Sequence, residues 1–246
     1  MRWFVLLAAL LPIAAQAAPT GLNQIPTTDL VPIGQLSLQL QNGNTEVSGP
    51  SSMFHQPAPV PQSEYGIPWR IETGLDVAPS NPPHDYRPVL NVKWSPVHEE
   101  YRIPAAAVGA LQLGVGFTPG YYLVLSKTLN YDAIQYQKFR AHHRNLKLRG
   151  IRLHSGILGI GNVWHALVGT DIELSDHFIV YSDWISGASN SVSLGGVFVF
   201  NQHLSFQASL LRGNDQDRLS GFLANITYTF TPANLFKGGA NDAAAH

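Results

Sequence analysis

The 246-residue chain has no cysteine, and only 13% of its side chains are charged, against roughly 25% in ordinary soluble proteins. Without thiols there is no disulfide framework, no cysteine-held zinc or iron–sulfur centre and no lipid-modified N-terminal cysteine. A formal net charge of −1 excludes a protein built mainly to bind nucleic acid, which needs a surplus of Lys and Arg against phosphate. Apolar side chains are not scarce, and 45% hydrophobic is too much for a disordered chain.

The first 17 residues have the grammar of an export signal. Arg2 is the early positive charge, Trp3 to Ala14 form an uncharged apolar stretch, and Ala15-Gln16-Ala17 gives the small-x-small cleavage pattern. The alternative, an uncleaved anchor, needs about 20 apolar residues to span a bilayer, and this stretch is much shorter. The expected mature chain starts near Ala18 and is exported.

From residue 34 onward, apolar residues alternate with polar or small ones, the period of a strand with unlike faces. Leu36, Leu38 and Leu40 oppose Ser37, Gln39 and Gln41; Leu90, Val92 and Trp94 oppose Arg87, Asn91 and Lys93; Leu204, Phe206, Ala208 and Leu210 oppose Ser205, Gln207 and Ser209. The uncharged stretch Ile103 to Leu125 has the length of a transmembrane helix, but Pro119-Gly120 breaks it and Leu111, Leu113, Val115 and Phe117 alternate with small residues. A hairpin at Thr118-Pro119-Gly120 accounts for both features.

Eleven alternating segments stand out, at 34–41, 68–77, 86–95, 106–117, 121–128, 147–158, 163–174, 177–184, 191–200, 204–212 and 220–230. They exceed the usual soluble strand of about 5 to 6 residues and approach the roughly 9 to 11 of a tilted bilayer-crossing strand. A soluble sandwich also has one apolar face per strand, but its other face is normally rich in charge. Here that face is filled with Gly, Ser, Asn and Gln. The expected fold is therefore all-β, a closed antiparallel transmembrane β-barrel, because unpaired backbone groups in hydrocarbon cost several kcal/mol each.

The last segment, Phe222 to Phe230, places Tyr228 and Phe230 on the apolar face and Asn225, Thr227 and Thr229 on the other. This resembles the terminal targeting strand of Gram-negative outer-membrane proteins, which implies the outer membrane as location and the barrel-assembly machinery as partner through the strand ending at Phe230. Such barrels have an even strand number, so a twelfth strand is expected at 131–139; the alternative is ten. The expected organisation is residues 1–17 as signal, 18–33 as a periplasmic segment, 34–230 as barrel and 231–246 as a disordered tail. Threading twelve strands from the periplasm puts Trp69, Trp94, Trp164 and Trp184 at the outer rim. It puts Phe117, Tyr121, Phe178, Tyr228 and Phe230 at the inner rim, as a membrane girdle. Thr118-Pro119-Gly120, Ser175-Asp176 and Asn201-Gln202-His203 become periplasmic turns, and residues 42–67 an external loop.

The expected lumen carries a polar network of Arg70, Glu72, Asp76, Arg87, Asn91, Lys93, Arg152, His154, His165, Asp171, Glu173 and Asp183. These charges nearly cancel, so the leading expectation is a non-enzymatic barrel of envelope structure or surface polysaccharide, its lumen narrow or filled by ion pairs. The alternatives are a small-solute channel and a soluble periplasmic sandwich. The basic residues Lys138, Arg140, Arg144, Lys147 and Arg149 suit outer-membrane lipid, lipopolysaccharide or an acidic polysaccharide. Catalysis has little support: no Gly-x-Ser-x-Gly elbow is present, and His165 and Asp171 lie about 20 Å apart along one strand. His98-Glu99-Glu100 and His142-His143 are weak metal candidates, and no cofactor is expected.

Gly21-Leu22-Asn23-Gln24-Ile25-Pro26-Thr27-Thr28-Asp29, followed by Gly34-Gln35-Leu36, resembles the opening of YjbH-type outer-membrane barrel proteins. That resemblance implies a barrel linked to exopolysaccharide export.

Overall fold

The computed structural model describes residues 21–22, 24–44, 59–79, 86–129, 150–215 and 220–232. Twelve strands follow one another as β1 (Leu36–Asn44), β2 (Val60–Ile67), β3 (Ile71–Pro79), β4 (Tyr86–Val97), β5 (Ala105–Leu113), β6 (Gly120–Thr128), β7 (Ile151–Ile160), β8 (Val163–Ser175), β9 (Phe178–Ile185), β10 (Ser191–Val199), β11 (Leu204–Gly213) and β12 (Ser220–Phe230). Each pairs antiparallel with its chain neighbours, and β1 closes the barrel on β12 from Leu36 opposite Phe230 to Asn44 opposite Phe222. Closure leaves no unpaired strand edge.

The alternation puts one set of side chains outside and the other in the lumen. Every strand exposes a large apolar residue outward, including Leu38, Tyr65, Leu75, Leu90, Val108 and Leu123 on β1 to β6 and Leu153, Val168, Trp184, Leu194, Leu210 and Ile226 on β7 to β12. Inward, Ser37, Gln39, Glu72, Lys93, Ser126, His154, Asp171, Asp183, Ser193, Gln207 and Thr227 are buried. The faces are those expected from the sequence except beside two register breaks, where Leu111 turns into the lumen and Glu173 is exposed.

Two strand assignments change. The twelfth strand is β2, inside the segment expected to be an external loop, whereas residues 131–139 lie outside the described residues and β6 pairs directly with β7. Val60-Pro61-Gln62-Ser63-Glu64-Tyr65 reads as a loop because Pro61 cannot donate to a ladder and only Tyr65 marks the outer face before Ile67. Each change reverses strand direction, so everything from residue 71 to 128 runs opposite to expectation, and from residue 151 the two changes cancel.

The girdle positions follow from that parity. The rim where β1 begins and β12 ends, here the terminal rim, carries Trp69 and Trp94 with Phe178, Tyr228 and Phe230. The far rim carries Trp164, Trp184, Phe117 and Tyr121. The four tryptophans are thus divided between rims rather than gathered at one. The turn at Thr118-Pro119-Gly120 lies at the far rim, while Ser175-Asp176 and Asn201-Gln202-His203 lie at the terminal rim.

Residues 21–22 and 24–35 do not stay outside the barrel as a periplasmic segment. They turn at Gly34, whose φ of 79° suits glycine, and run up the lumen from the terminal rim. Ile33 bridges Gly66 at the end of β2, Val31 meets Glu72 on β3, Asp29 meets Arg152 on β7, and Gln24 reaches Asp183 on β9. Near the far rim the segment folds back, with Gly21 bridging Pro26 and the Leu22 N–H donating to the Ile25 carbonyl at 3.0 Å.

Candidate functional site

The lumen has two unlike halves. On β5 to β9 the inward positions hold Ala107, Tyr122, Val124, Leu158, Leu167 and Ile185, which pack with Ile25 of the lumenal segment. Tyr181, Val197 and Val199 form an adjoining group against Leu22. Burying a side chain such as Ile25, 2% exposed, stabilises by about 1.5–3 kcal/mol, so an apolar inner wall explains why the segment lies on this side. Gly169 provides the room: a Cβ there would stand 2.6 Å from Leu22 Cδ1 and 2.7 Å from Ile25 Cδ1.

Polar clamps fix the segment along its length. The Gln24 N–H and Nε2 donate to the two carboxylate oxygens of Asp183 at 2.7 and 3.0 Å, and Ser191 Oγ donates to Gln24 Oε1. Arg152 grips Asp29 through both terminal nitrogens, and the Val31 N–H donates to Glu72 Oε2 at 2.7 Å. Burial pushes the Asp29 carboxyl up, but the charge and hydrogen bonds of Arg152, helped by His154 and Lys93, prevail and hold it below its ordinary value.

The other half of the lumen is open. A cavity of about 200 Å³ lies between the segment and the wall made by β1 to β5, β11 and β12. Its lining is dominated by amides: Gln39 and Gln41 on β1, Gln62 on β2, Asn91 on β4, Gln112 on β5, Gln207 on β11 and Asn225 on β12. They are tied into chains, with Asn225 Nδ2 donating to Gln39 Oε1 at 2.8 Å and Gln39 Nε2 donating to Glu64 Oε2 at 3.0 Å. Asn91 Nδ2 donates to Asp76 Oδ2 at 2.6 Å and its Oδ1 accepts from the Gln112 N–H at 3.0 Å. Gln112 has a φ of 58° beside a break in the β4–β5 register; such irregularities re-aim side chains. Lys93 pairs with Glu72 at 3.1 Å, both side chains 6% exposed.

The expected network therefore divides into parts. Glu72, Asp76, Asn91 and Lys93 line the cavity, whereas Arg152, His154, Asp171 and Asp183 serve the opposite wall and the segment. His165 is buried near the far rim, its Nδ1 2.7 Å from the Ser186 carbonyl and 3.1 Å from Asn190 Nδ2. Three residues leave the central network. Arg70 sits in the terminal-rim turn against Ser95 and His98, Arg87 reaches the Val115 carbonyl at the far-rim turn, and Glu173 is exposed beside a register break near the terminal rim. Residues close to a strand end reach the rim before they reach the lumen's centre, which period two cannot register. Lys138, Arg140, Arg144, Lys147 and Arg149 lie outside the described residues.

The girdle candidates are on the outer face. Trp69, Trp164, Tyr121 and Tyr228 are well exposed, Trp94, Trp184 and Phe178 less so, and Phe230 rests on Tyr228 at a ring separation of 5.7 Å. Glu99, a metal candidate in sequence, instead accepts from the Thr128 N–H and Oγ and pairs with Lys127 at 3.1 Å. Among the described residues no three His, Asp or Glu converge as a metal site.

One arrangement escaped sequence reasoning because its serine lies on another strand. Ser126 Oγ is 2.8 Å from His154 Nδ1, and His154 Nε2 is 2.7 Å from Asp171 Oδ2. With the carboxylate as acceptor, Nε2 carries the proton and Nδ1 accepts from the serine. The order is that of a nucleophile relay, but Ser126 is 0% exposed and the Thr28 N–H points at its Oγ. No substrate carbonyl has room there. The relay joins β6, β7, β8 and the lumenal segment in one buried hydrogen-bond chain.

No family model matches the chain, and no curated protein does. Among solved structures, it is similar to the KdgM porin, both alone and in complex with disordered oligogalacturonate, at 7% identity and a TM-score of 0.49, covering 80% of this chain and 99% of that one. It is also similar to the Acinetobacter baumannii outer membrane protein Omp33, at 9% identity and a TM-score of 0.47, covering 80% and 98%.

Proposed function

We propose that this protein is an outer-membrane β-barrel that passes small polar solutes through a narrow, amide-lined passage beside its own N-terminal segment. The observation that carries this reading is the cavity of about 200 Å³ left between the segment and the β1–β5, β11 and β12 wall. A lumen evolved only as filler would have side chains there. The largely apolar outward set on a closed barrel suits hydrocarbon, where a strand edge could not survive. Since bacterial barrels begin and end in the periplasm, the terminal rim is the periplasmic one. Tyr228 and Phe230 end the last strand in the form the assembly machinery reads.

A second reading, a closed barrel with a structural role, is favoured by the Asp29–Arg152 and Glu72–Val31 clamps, which hold the segment in place. Planar-bilayer recording of the refolded full chain separates the two. Small, stable unitary currents are expected, growing when residues 21–33 are deleted. A silent bilayer with both chains, despite correctly folded barrels, favours the structural role.

A further inference from the structure

The amides that line the cavity fall into two groups. Gln39, Asn91 and Asn225 have both ends of their side-chain amides engaged with one another or with neighbouring groups of the wall. Gln41 on β1, Gln62 on β2 and Gln112 on β5 also line the cavity, and among the described residues their side-chain amides meet no protein partner. Gln41 stands opposite Val60, so Gln62 is its diagonal neighbour across the β1–β2 pair, about 7–8 Å away. One small solute can touch both. Gln112 enters from β5, where the break in the β4–β5 register turns two successive residues, Leu111 and Gln112, toward the cavity. An apolar side chain and an amide therefore stand side by side there, and Pro26 of the N-terminal segment adds a second apolar surface.

Resting on the channel reading above, we infer that the cavity is a binding subsite for one uncharged polyhydroxy solute the size of a single sugar ring, held by Gln41, Gln62 and Gln112. A carboxamide without a partner offers two N–H donors and an oxygen acceptor, and a hydroxyl both donates and accepts. A ring with several hydroxyls can satisfy all three amides at once. A carboxylate or phosphate only accepts, and so leaves the amide oxygens unmet. The C–H faces of such a ring are apolar and suit Pro26 and Leu111. Size agrees as well: about 200 Å³ is the room of about seven waters at roughly 30 Å³ each. The amides already engaged hold the wall in shape, so the solute enters a preorganised site.

The test adds D-glucose to the refolded full chain carrying potassium chloride current in a planar bilayer, with D-glucuronate, the same ring bearing a carboxylate, as the charged counterpart. Glucose should reduce the current along a saturating curve, and glucuronate should need a concentration about ten-fold higher for the same effect. Gln41→Leu/Gln62→Leu, read against its own glucose-free current, should raise the half-blocking glucose concentration about ten-fold through the loss of two hydrogen-bonding side chains. Should that doubly substituted barrel fail to insert, Gln112→Leu alone decides, with an expected shift of about three-fold. A current that falls with glucose only in step with bulk conductivity, a stronger block by glucuronate, or a half-blocking concentration indifferent to these substitutions overturns this inference while leaving the channel intact. An absence of current in the unsubstituted chain overturns the channel reading itself, and the inference with it.

Discussion

Arg152, the second residue of β7, holds both carboxylate oxygens of Asp29 at 2.8 and 2.9 Å across 123 positions of sequence. This two-pronged contact fixes the N-terminal segment low in the lumen, and it titrates. Asp29 is held below the 3.8 of an ordinary aspartate, so the stabilisation it gives is complete above that value and lost as the pH falls through the lower folded value. Unitary conductance should step up only in acid, below about pH 3.8. In Asp29→Asn, which removes the charge at all pH values, the larger conductance should be present at neutrality and the acid step should vanish.

The Glu72–Lys93 pair is buried on both sides, and Glu72 also accepts from the Val31 N–H. Removing one partner of a buried pair leaves an uncompensated charge and costs about 3–5 kcal/mol. Lys93→Met should therefore lower the urea midpoint of the micelle-folded barrel markedly. Adding Glu72→Gln, which keeps an acceptor for Val31 while neutralising the stranded charge, should restore most of the loss.

Glycines that admit the segment should be sensitive in different degrees. A Cβ on Gly66 would overlap the backbone carbonyls of Val31 and Pro32, which cannot yield, whereas at Gly169 its two closest contacts would be the flexible tips of Leu22 and Ile25, with the Ser182 carbonyl farther off at 3.3 Å. Gly66→Ala should dislodge the lower segment and raise conductance. Gly169→Ala should be close to neutral in the same recording.

The outer face should behave as lipid-facing. Leu194, 61% exposed near the middle of β10, should cost about 2–4 kcal/mol when replaced by Arg, measured by reversible folding into bilayers. Gln207→Arg, from the inward set, should cost far less in the same measurement.

The Ser126–His154–Asp171 relay should be inert. A fluorophosphonate probe should leave Ser126 unlabelled in the folded barrel, because an enclosed hydroxyl cannot reach phosphorus. Labelling of that serine would reinstate a hydrolase.

Period two in the chain was enough to establish strands, their two faces and an even-numbered barrel, since alternate residues such as Leu36, Leu38 and Leu40 must share a side whatever the tertiary context. It also located Glu72, Asp76, Asn91 and Lys93 on the inner face. It could not find β2, where Pro61 and Ser63 blur the outward set, and that single strand decided which way Trp69 and Trp94 point along the barrel axis. Nor could it place residues 21–35, whose polar Gln24, Thr28 and Asp29 suit bulk water as well as a lumen. Local pattern fixes which side of a sheet a residue takes. Only closure of twelve strands brought β3, β7 and β9 around one segment, and so decided that Arg152 holds Asp29 while Gln39, Asn91 and Asn225 line a cavity on the other side.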